Sequence, residues 1–234
     1  RRLTDQGDGP VGILCRNHRG FTLAQLGIER SGRDVVLLST ALPAGRLREI
    51  VGREALTLLI ADAEFSEIIS GAEVDVWFAD GPSANLAGSQ GPLRMCRSPR
   101  QRSRMIMLTS GTTGPPKGAQ RSNRAPSVRD LGMLDTIPVE LNDVTYVASP
   151  LFHAWGLAQA TIGLATASTL VFRRKFDATE ALELLEQNDV TVLAVVPLML
   201  RRSLDAAGPD TQLPHLRLTL CSGNVLGARL ADEW

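Results

Sequence analysis

The chain has 234 residues, 44% of them apolar, enough for one large domain or two small ones. Its 25 Lys and Arg balance 25 Asp and Glu, so zero net charge favours neither a nucleic-acid partner nor an anionic membrane surface. The three cysteines, Cys15, Cys96 and Cys221, lie far apart with no C-x-x-C spacing, which argues for free thiols in a reducing cytoplasm and against a disulfide framework or a metal site.

The chain opens on Arg1-Arg2-Leu3-Thr4-Asp5-Gln6, which lacks the apolar core of a secretory signal. Short apolar runs then alternate with helical stretches. Strands are expected at Val11–Cys15, Val35–Leu38 and Leu56–Ile60, with helices at Phe21–Arg30 and Ala44–Ala55 and a weaker strand near Val74–Phe78. Near-continuous apolar runs fit strands covered on both faces, and strand–helix–strand alternation implies parallel pairing through right-handed crossovers. From Ala79 to Arg104 the chain reads as a connector, ending in the basic run Arg94, Arg97, Arg100, Arg102 and Arg104. Met105–Leu108 is a buried strand, and Ser122–Leu134 reads as a helix with Pro126 in its first turn. Val144–Ala148 is the next strand. The uncharged stretch from Leu151 to Phe172 is long enough to span a membrane, but it carries His153, Gln159 and several Ser and Thr. It reads as a buried helix followed by a strand at Thr169–Phe172. Asp177 caps an amphipathic helix at Ala178–Gln187, Val190–Val195 is a strand closed by Pro197, and Leu216–Leu220 is the last strand. No internal sequence repeat is visible. The expected fold is α/β, with layered parallel-rich sheets and flanking helices, divided as residues 1–80, a connector 81–104, and a portion 105–234 carrying the motifs below.

The loop after Leu108 reads Thr109-Ser110-Gly111-Thr112-Thr113-Gly114-Pro115-Pro116-Lys117-Gly118. Small residues let the backbone approach a bulky anion, free N–H groups and hydroxyls bond phosphate oxygens, and a lysine adds a point charge. Lys117 stands out because only it and Lys175 are lysines; every other basic residue is arginine. The ordinary P-loop, G-x-x-x-x-G-K-[ST], is excluded: Pro116 stands where its second Gly belongs and Gly118 where its Ser or Thr belongs. Two further segments follow strands, the usual edge for ligands in open parallel sheets. They are Ser149-Pro150-Leu151-Phe152-His153-Ala154-Trp155-Gly156 and Cys221-Ser222-Gly223-Asn224-Val225-Leu226.

The string T-S-G-T-T-G-x-P-K-G closely resembles the phosphate loop of the adenylate-forming superfamily: acyl- and aryl-CoA ligases, luciferases and peptide-synthetase adenylation domains. P-L-F-H-x-x-G resembles that superfamily's next motif, and Ser222-Gly223 its strand-end segment, from which Asn224 and Val225 depart. The resemblance covers nearly the whole chain and is most like the fatty-acid–CoA ligase branch, of which this would be an incomplete large N-terminal domain. It implies an AMP-forming acid–CoA ligase that takes a carboxylic acid, ATP and coenzyme A, with Mg2+ accompanying the nucleotide. Thr109, Ser110, Gly111, Thr112, Thr113, Gly114, Lys117 and Gly118 would hold phosphates, with Lys117 also catalytic. His153, also catalytic, would flank the reacting carboxylate, Trp155 would line the acyl pocket or simply pack, and Ser222, Gly223 and Asn224 would lie against adenine and the acyl chain. No residue of the chain is assigned to a metal.

The family's aromatic-G-x-T-E motif, its ribose-binding Asp and its C-terminal domain with a catalytic lysine do not occur in these residues, and Lys175 does not match the latter by motif. The expectation is therefore an internal portion, with little adenylation by the chain alone. The competing readings are a non-catalytic nucleotide-binding remnant and part of a peptide-synthetase adenylation domain. The expected location is the cytoplasm, with peripheral membrane attachment left open, and the sequence does not give an oligomeric state.

Overall fold

The computed structural model describes residues 8–80, 103–108, 118–122 and 137–234. The phosphate loop from Thr109 to Lys117, most of the connector 81–104 and the helix expected after Ser122 lie outside the described residues. The chain divides into two compact units, Arg1–Ala125 and Pro126–Trp234.

The first unit is built on a six-stranded sheet in the order β4-β3-β1-β2-β5-β6. Its strands are β1 (Val11–Leu14), β2 (Val35–Leu37), β3 (Leu58–Ala61), β4 (Asp75–Phe78), β5 (Arg104–Leu108) and β6 (Gly118–Ser122). All pair in parallel except β5 with β6. Among the described residues three α-helices accompany them: α1 (Arg19–Ser31), α2 (Ala44–Arg53) and the short α3 (Ser66–Ile69). The central strands β1, β2 and β3 are buried at every position, whereas edge strand β4 is half open. Alternate residues serve opposite faces. Leu14, Val36, Leu38, Leu59, Ala61 and Ile106 meet Leu47, Ile50 and Val51 of α2 and Ile69 of α3. The α1 helix, burying Phe21, Ala24 and Ile28, packs on β1 and β2. Each fully buried Leu, Ile or Val contributes about 1.5–3 kcal/mol.

The second unit holds four parallel strands in the order β10-β9-β7-β8. These are β7 (Val144–Val147), β8 (Thr169–Val171), β9 (Val192–Val195) and β10 (Leu218–Cys221), with helices α4 (Ala154–Ala165), α5 (Ala178–Gln187), α6 (Pro197–Ala206) and α7 (Ala228–Glu233). Tyr146, Ala148, Leu193 and Val195 pack against Ala181 and Leu185 of α5 and Leu200 of α6, and α4 lies against β7, β8 and β9. Gly163 lets α4 approach β8, since a Cβ there would stand 2.5 Å from Leu170 Cδ2. Among the described residues no helix is long and apolar enough to cross a membrane.

Several elements depart from the sequence reading for identifiable reasons. The strands expected from Leu56 and Val190 begin two residues later because those residues finish the preceding helix. Leu56 N–H donates to Val51 O at 3.0 Å and Val190 N–H to Leu185 O at 3.1 Å, with Ala55 (φ 50°) and Asp189 (φ 49°) left-handed between. Glycine usually marks such a helix end, as Gly32 (φ 80°) does for α1. Pro197 opens α6 instead of merely closing β9, since its fixed φ and missing N–H suit the first helical position. Ser122 ends strand β6, opposite Arg104, instead of starting a helix. The β5 strand pairs in parallel with β2, from Val35 opposite Met105 to Leu37 opposite Met107.

Candidate functional site

The two later motif segments gather at the carboxyl edge of the second sheet. After β7, Ala148 N–H still bonds Ala194 O on β9 at 3.0 Å, and the chain then turns at Pro150. Leu151 is buried there, and His153 N–H closes the turn onto Pro150 O at 3.1 Å. His153 is the N-cap of α4, with extended backbone (φ −100°) and a side chain that leaves the cap unbonded. The helix then passes over its own entry turn. A Cβ on Gly156 would stand 2.4 Å from Pro150 O and 2.6 Å from Ser149 O, so the glycine of P-L-F-H-x-x-G is a packing requirement.

Trp155 and Ser222 meet on one acceptor. The Trp155 indole N–H donates to Val195 O at 2.9 Å, and Ser222 N–H donates to the same oxygen at 3.3 Å. The indole thereby ties the start of α4 to the end of β9. Gly223 follows in the left-handed region (φ 88°), where a Cβ would lie 3.2 Å from Val196 Cγ1. Asn224 Oδ1 accepts from Val225 N–H at 2.8 Å, and Val225 and Leu226 are exposed. The edge therefore presents an open turn with apolar side chains beside it.

His153 is exposed, and its ring centroid lies 4.4 Å from that of Phe152. Lost hydration holds its pKa below the usual imidazole value, so the ring is neutral near pH 7 and can accept or donate one hydrogen bond without carrying charge. Burial pushes the Cys221 thiol up. It is therefore a protonated, weak nucleophile at neutral pH, unsuited to carrying an acyl group itself.

The structure thus brings Trp155, Ser222 and Gly223 together around Val195 and Val196, with His153 on the turn before Trp155 and Asn224 on the turn after Gly223. Gly118 is the first residue of β6 and pairs with Leu108. The loop between them consequently joins two antiparallel strands, whereas an ordinary P-loop runs from a strand into a helix. The Val195 carbonyl escaped sequence reasoning because every residue has one; only the preceding strand's end hinted at it.

Residues 3–234 match the AMP-binding enzyme family. The 4-hydroxybenzoate–CoA/benzoate–CoA ligase of Rhodopseudomonas palustris is 26% identical over all of this chain and 46% of its own length. The indoleacetate–CoA ligase of Aromatoleum aromaticum is 34% identical over 55% of this chain and 26% of its own. The fatty acid–[acyl-carrier-protein] ligase ScoC of Streptomyces coeruleorubidus is 34% identical over 54% and 25%. The chain thus spans about half or less of the length of these curated relatives. Among solved structures, the inhibitor-bound N-terminal domain of FACL13 from Mycobacterium tuberculosis superposes with a TM-score of 0.81 at 24% identity, over 99% of this chain and 61% of that one. The O-succinylbenzoate coenzyme A synthetase of Bacillus subtilis, in complex with AMP, gives 0.79 at 22%, over 97% and 58%. On these matches the chain belongs to the AMP-binding enzyme family, with the α/β fold of the N-terminal domains of adenylate-forming ligases.

Proposed function

We propose that this chain is the part of an AMP-forming acid–CoA ligase that binds ATP and an apolar carboxylic acid. The observation that carries the reading is the convergence on Val195 O of the turn bearing His153 and Trp155 and the turn bearing Ser222 and Gly223. Gly223 fits a nucleotide: its bare backbone leaves open the position a Cβ would fill beside Val196. In this reading Ser222, Gly223 and Asn224 border adenine and the acyl chain. Thr109, Ser110, Gly111, Thr112, Thr113, Gly114, Lys117 and Gly118 take the phosphates, as their hydroxyls, small size and single cation suit. Neutral His153 borders the acid's carboxylate, where an imidazole without charge positions the anion without fixing it as a salt. Attack of the carboxylate oxygen on the α-phosphorus gives the acyl adenylate and releases pyrophosphate, whose developing charge Lys117 offsets. Mg2+ carried by ATP would supply further charge neutralisation, and coenzyme A would be the thiol acceptor. A fatty acid is the first acid to test; exposed Val225 and Leu226 support an apolar body, and the relatives' names extend the panel to benzoate, indoleacetate and succinylbenzoate.

The test is equilibrium binding of ATP and AMP to the chain, followed by acid-dependent ATP–pyrophosphate exchange across that panel. We expect saturable nucleotide binding, weakened at least tenfold for ATP by Lys117→Ala and for AMP by Gly223→Ala. Unchanged affinity in both variants overturns the site assignment, and exchange confined to an aromatic acid overturns the fatty-acid preference.

A further inference from the structure

A second cluster of chemically distinct side chains lies at the carboxyl edge of the first sheet. In that sheet the chain runs from β1 to β2 on one side, then returns past β1 to β3 and β4. The reversal makes the gap between the ends of β1 and β3 a topological switch point, where open α/β sheets place ligands. Cys15 directly follows β1, His18 caps α1 and Asp62 directly follows β3. Their ligand atoms (Cys15 Sγ, a ring nitrogen of His18, a carboxylate oxygen of Asp62) all lie within 4.8 Å of one another.

We propose that Cys15, His18 and Asp62 form a binding site for a divalent cation of the zinc type, with a solvent molecule completing four-coordination. The donor set is one thiolate, one imidazole and one carboxylate, which suits a borderline-soft cation and not Mg2+ or Ca2+. Bond lengths of about 2.3 Å to sulfur and about 2.0–2.2 Å to nitrogen and oxygen put tetrahedral ligands about 3.5 Å apart, so the cluster closes by roughly an ångström through side-chain movement. Cys15 and Asp62 are 1% and 0% exposed, while the His18 side chain keeps 19% of its surface, which gives the cation its entry. The surroundings supply the outer support such sites need: Arg16 N–H donates to Asp62 Oδ2 at 2.8 Å and orients the carboxylate.

The hydrogen bonds around His18 fix which ring nitrogen carries the proton. Gly20 N–H donates to His18 Nδ1 at 3.0 Å, so Nε2 carries the proton, and it meets Asp62 Oδ1 at 2.7 Å. A cation bound at Nε2 displaces that proton. The neutral ring then holds its hydrogen on Nδ1, where it faces the Gly20 N–H and opens the cap of α1. Binding is therefore coupled to the first turn of the helix, a consequence that adventitious surface binding does not share.

The test is a Co2+ titration of the full chain. We expect a one-to-one complex with a thiolate-to-cobalt charge-transfer band and d–d bands of tetrahedral intensity, both abolished by stoichiometric Zn2+. Zn2+ affinity should fall more than about 100-fold in Cys15→Ser, beyond the 10–100-fold typical of outer-shell partners. Since Cys15 is buried, a paired variant, Cys96→Ser with Cys221→Ser, guards against misfolding: the charge-transfer band must survive in it. The amide resonance of Gly20 should shift on Zn2+ binding. Absence of the charge-transfer band, its persistence in Cys15→Ser, its loss in the paired variant, or bound Zn2+ that leaves Gly20 unmoved overturns the assignment.

Discussion

The two units are wound alike and finished differently. In each, a founding strand (β1 or β7) passes to a neighbour on one side, and the chain then returns to add two strands on the other, giving β4-β3-β1-β2 and β10-β9-β7-β8. In each, the first crossover helix covers one face, and the next two pack with strand residues on a shared opposite core. No sequence repeat accompanies this likeness, because the winding demands only runs of buried apolar residues of about the right length. The carboxyl edges diverge. The first is tied by polar side chains: His18 to Asp62, Arg16 to Glu64 at 2.9 Å, and Asp80 to the backbone N–H of Ala63 at 2.7 Å. The second is tied by backbone groups, the Trp155 indole and close-packed glycine, with an open turn at Gly223–Leu226. A shared winding therefore says where a ligand could sit, while local chemistry decides whether the place is furnished or left clear.

The sharpest way to break this comparison is Gly156→Ala. The added methyl meets two carbonyl oxygens of its own entry turn, and we expect a loss of about 3 kcal/mol or more, at the upper end for overpacking. Hydrogen exchange read by mass spectrometry should localise the loss to Pro126–Trp234; equal loosening of both units shows that they unfold as one body. The amino edges offer the next contrast. Asp143 is buried, and its carboxylate takes both oxygens' worth of bonds from Arg217 Nη2 (2.8 and 2.7 Å), with Thr191 Oγ1 at 2.7 Å and Glu140 N–H at 2.7 Å. Burial alone would raise its pKa; the Thr191 hydroxyl, the Glu140 N–H and Arg217 outweigh it and hold the group below the usual carboxylate range. The unfolded chain therefore binds the proton first. The contribution is whole above the unfolded value of about 4 and is lost as pH falls through the lower native one. Asp143→Ala should cost about 2–3 kcal/mol at pH 7 in urea unfolding, less than a fully buried pair because Arg217 reaches solvent. The matching first-sheet pair, Asp34 with Arg104 at 2.7 Å, is more exposed, and Asp34→Ala should shift the midpoint less.

Trp155→Phe keeps an aromatic ring but removes the N–H to Val195 together with part of the indole's volume, and should cost about 1–2 kcal/mol. An unchanged midpoint would show that the indole bond is not what holds α4 to β9. Smallest is a gain: Ala55→Gly and Asp189→Gly relieve left-handed strain at two helix ends, each expected to raise stability by up to about 1 kcal/mol in the same measurement.

How far the sequence carried depended on how local each signal was. Asp177 accepts from Glu180 N–H at 3.0 Å, and its helix runs Ala178–Gln187, bounds legible from the cap and the apolar spacing. Apolar runs likewise located β1, β2, β5 and β7 within a residue of their ends. The starts of β3 and β9 were not legible because left-handed Ala55 and Asp189 lack the glycine that announces a helix end. The β6 strand, Gly-Ala-Gln-Arg-Ser, has no strand pattern at all and owes its form to pairing with β5. At the second-sheet edge, Ser222 and Gly223 directly follow β10, whereas Trp155 lies beyond the turn after β7, in the first turn of α4. The first-sheet cluster stayed hidden because Asp62 is 44 positions from His18, a distance that only parallel pairing of β1 with β3 closes.

The shared acceptor at residue 195 has a bearing on how this edge can vary. The group that holds the two motif turns belongs to the peptide unit, while the isopropyl side chain of Val195 faces the interior. Exchange of that side chain for another apolar one therefore alters the core and leaves the frame of the edge as it was. The frame yields only to changes that redirect the backbone, so hydrophobic repacking and the geometry of the edge are separately adjustable in this unit.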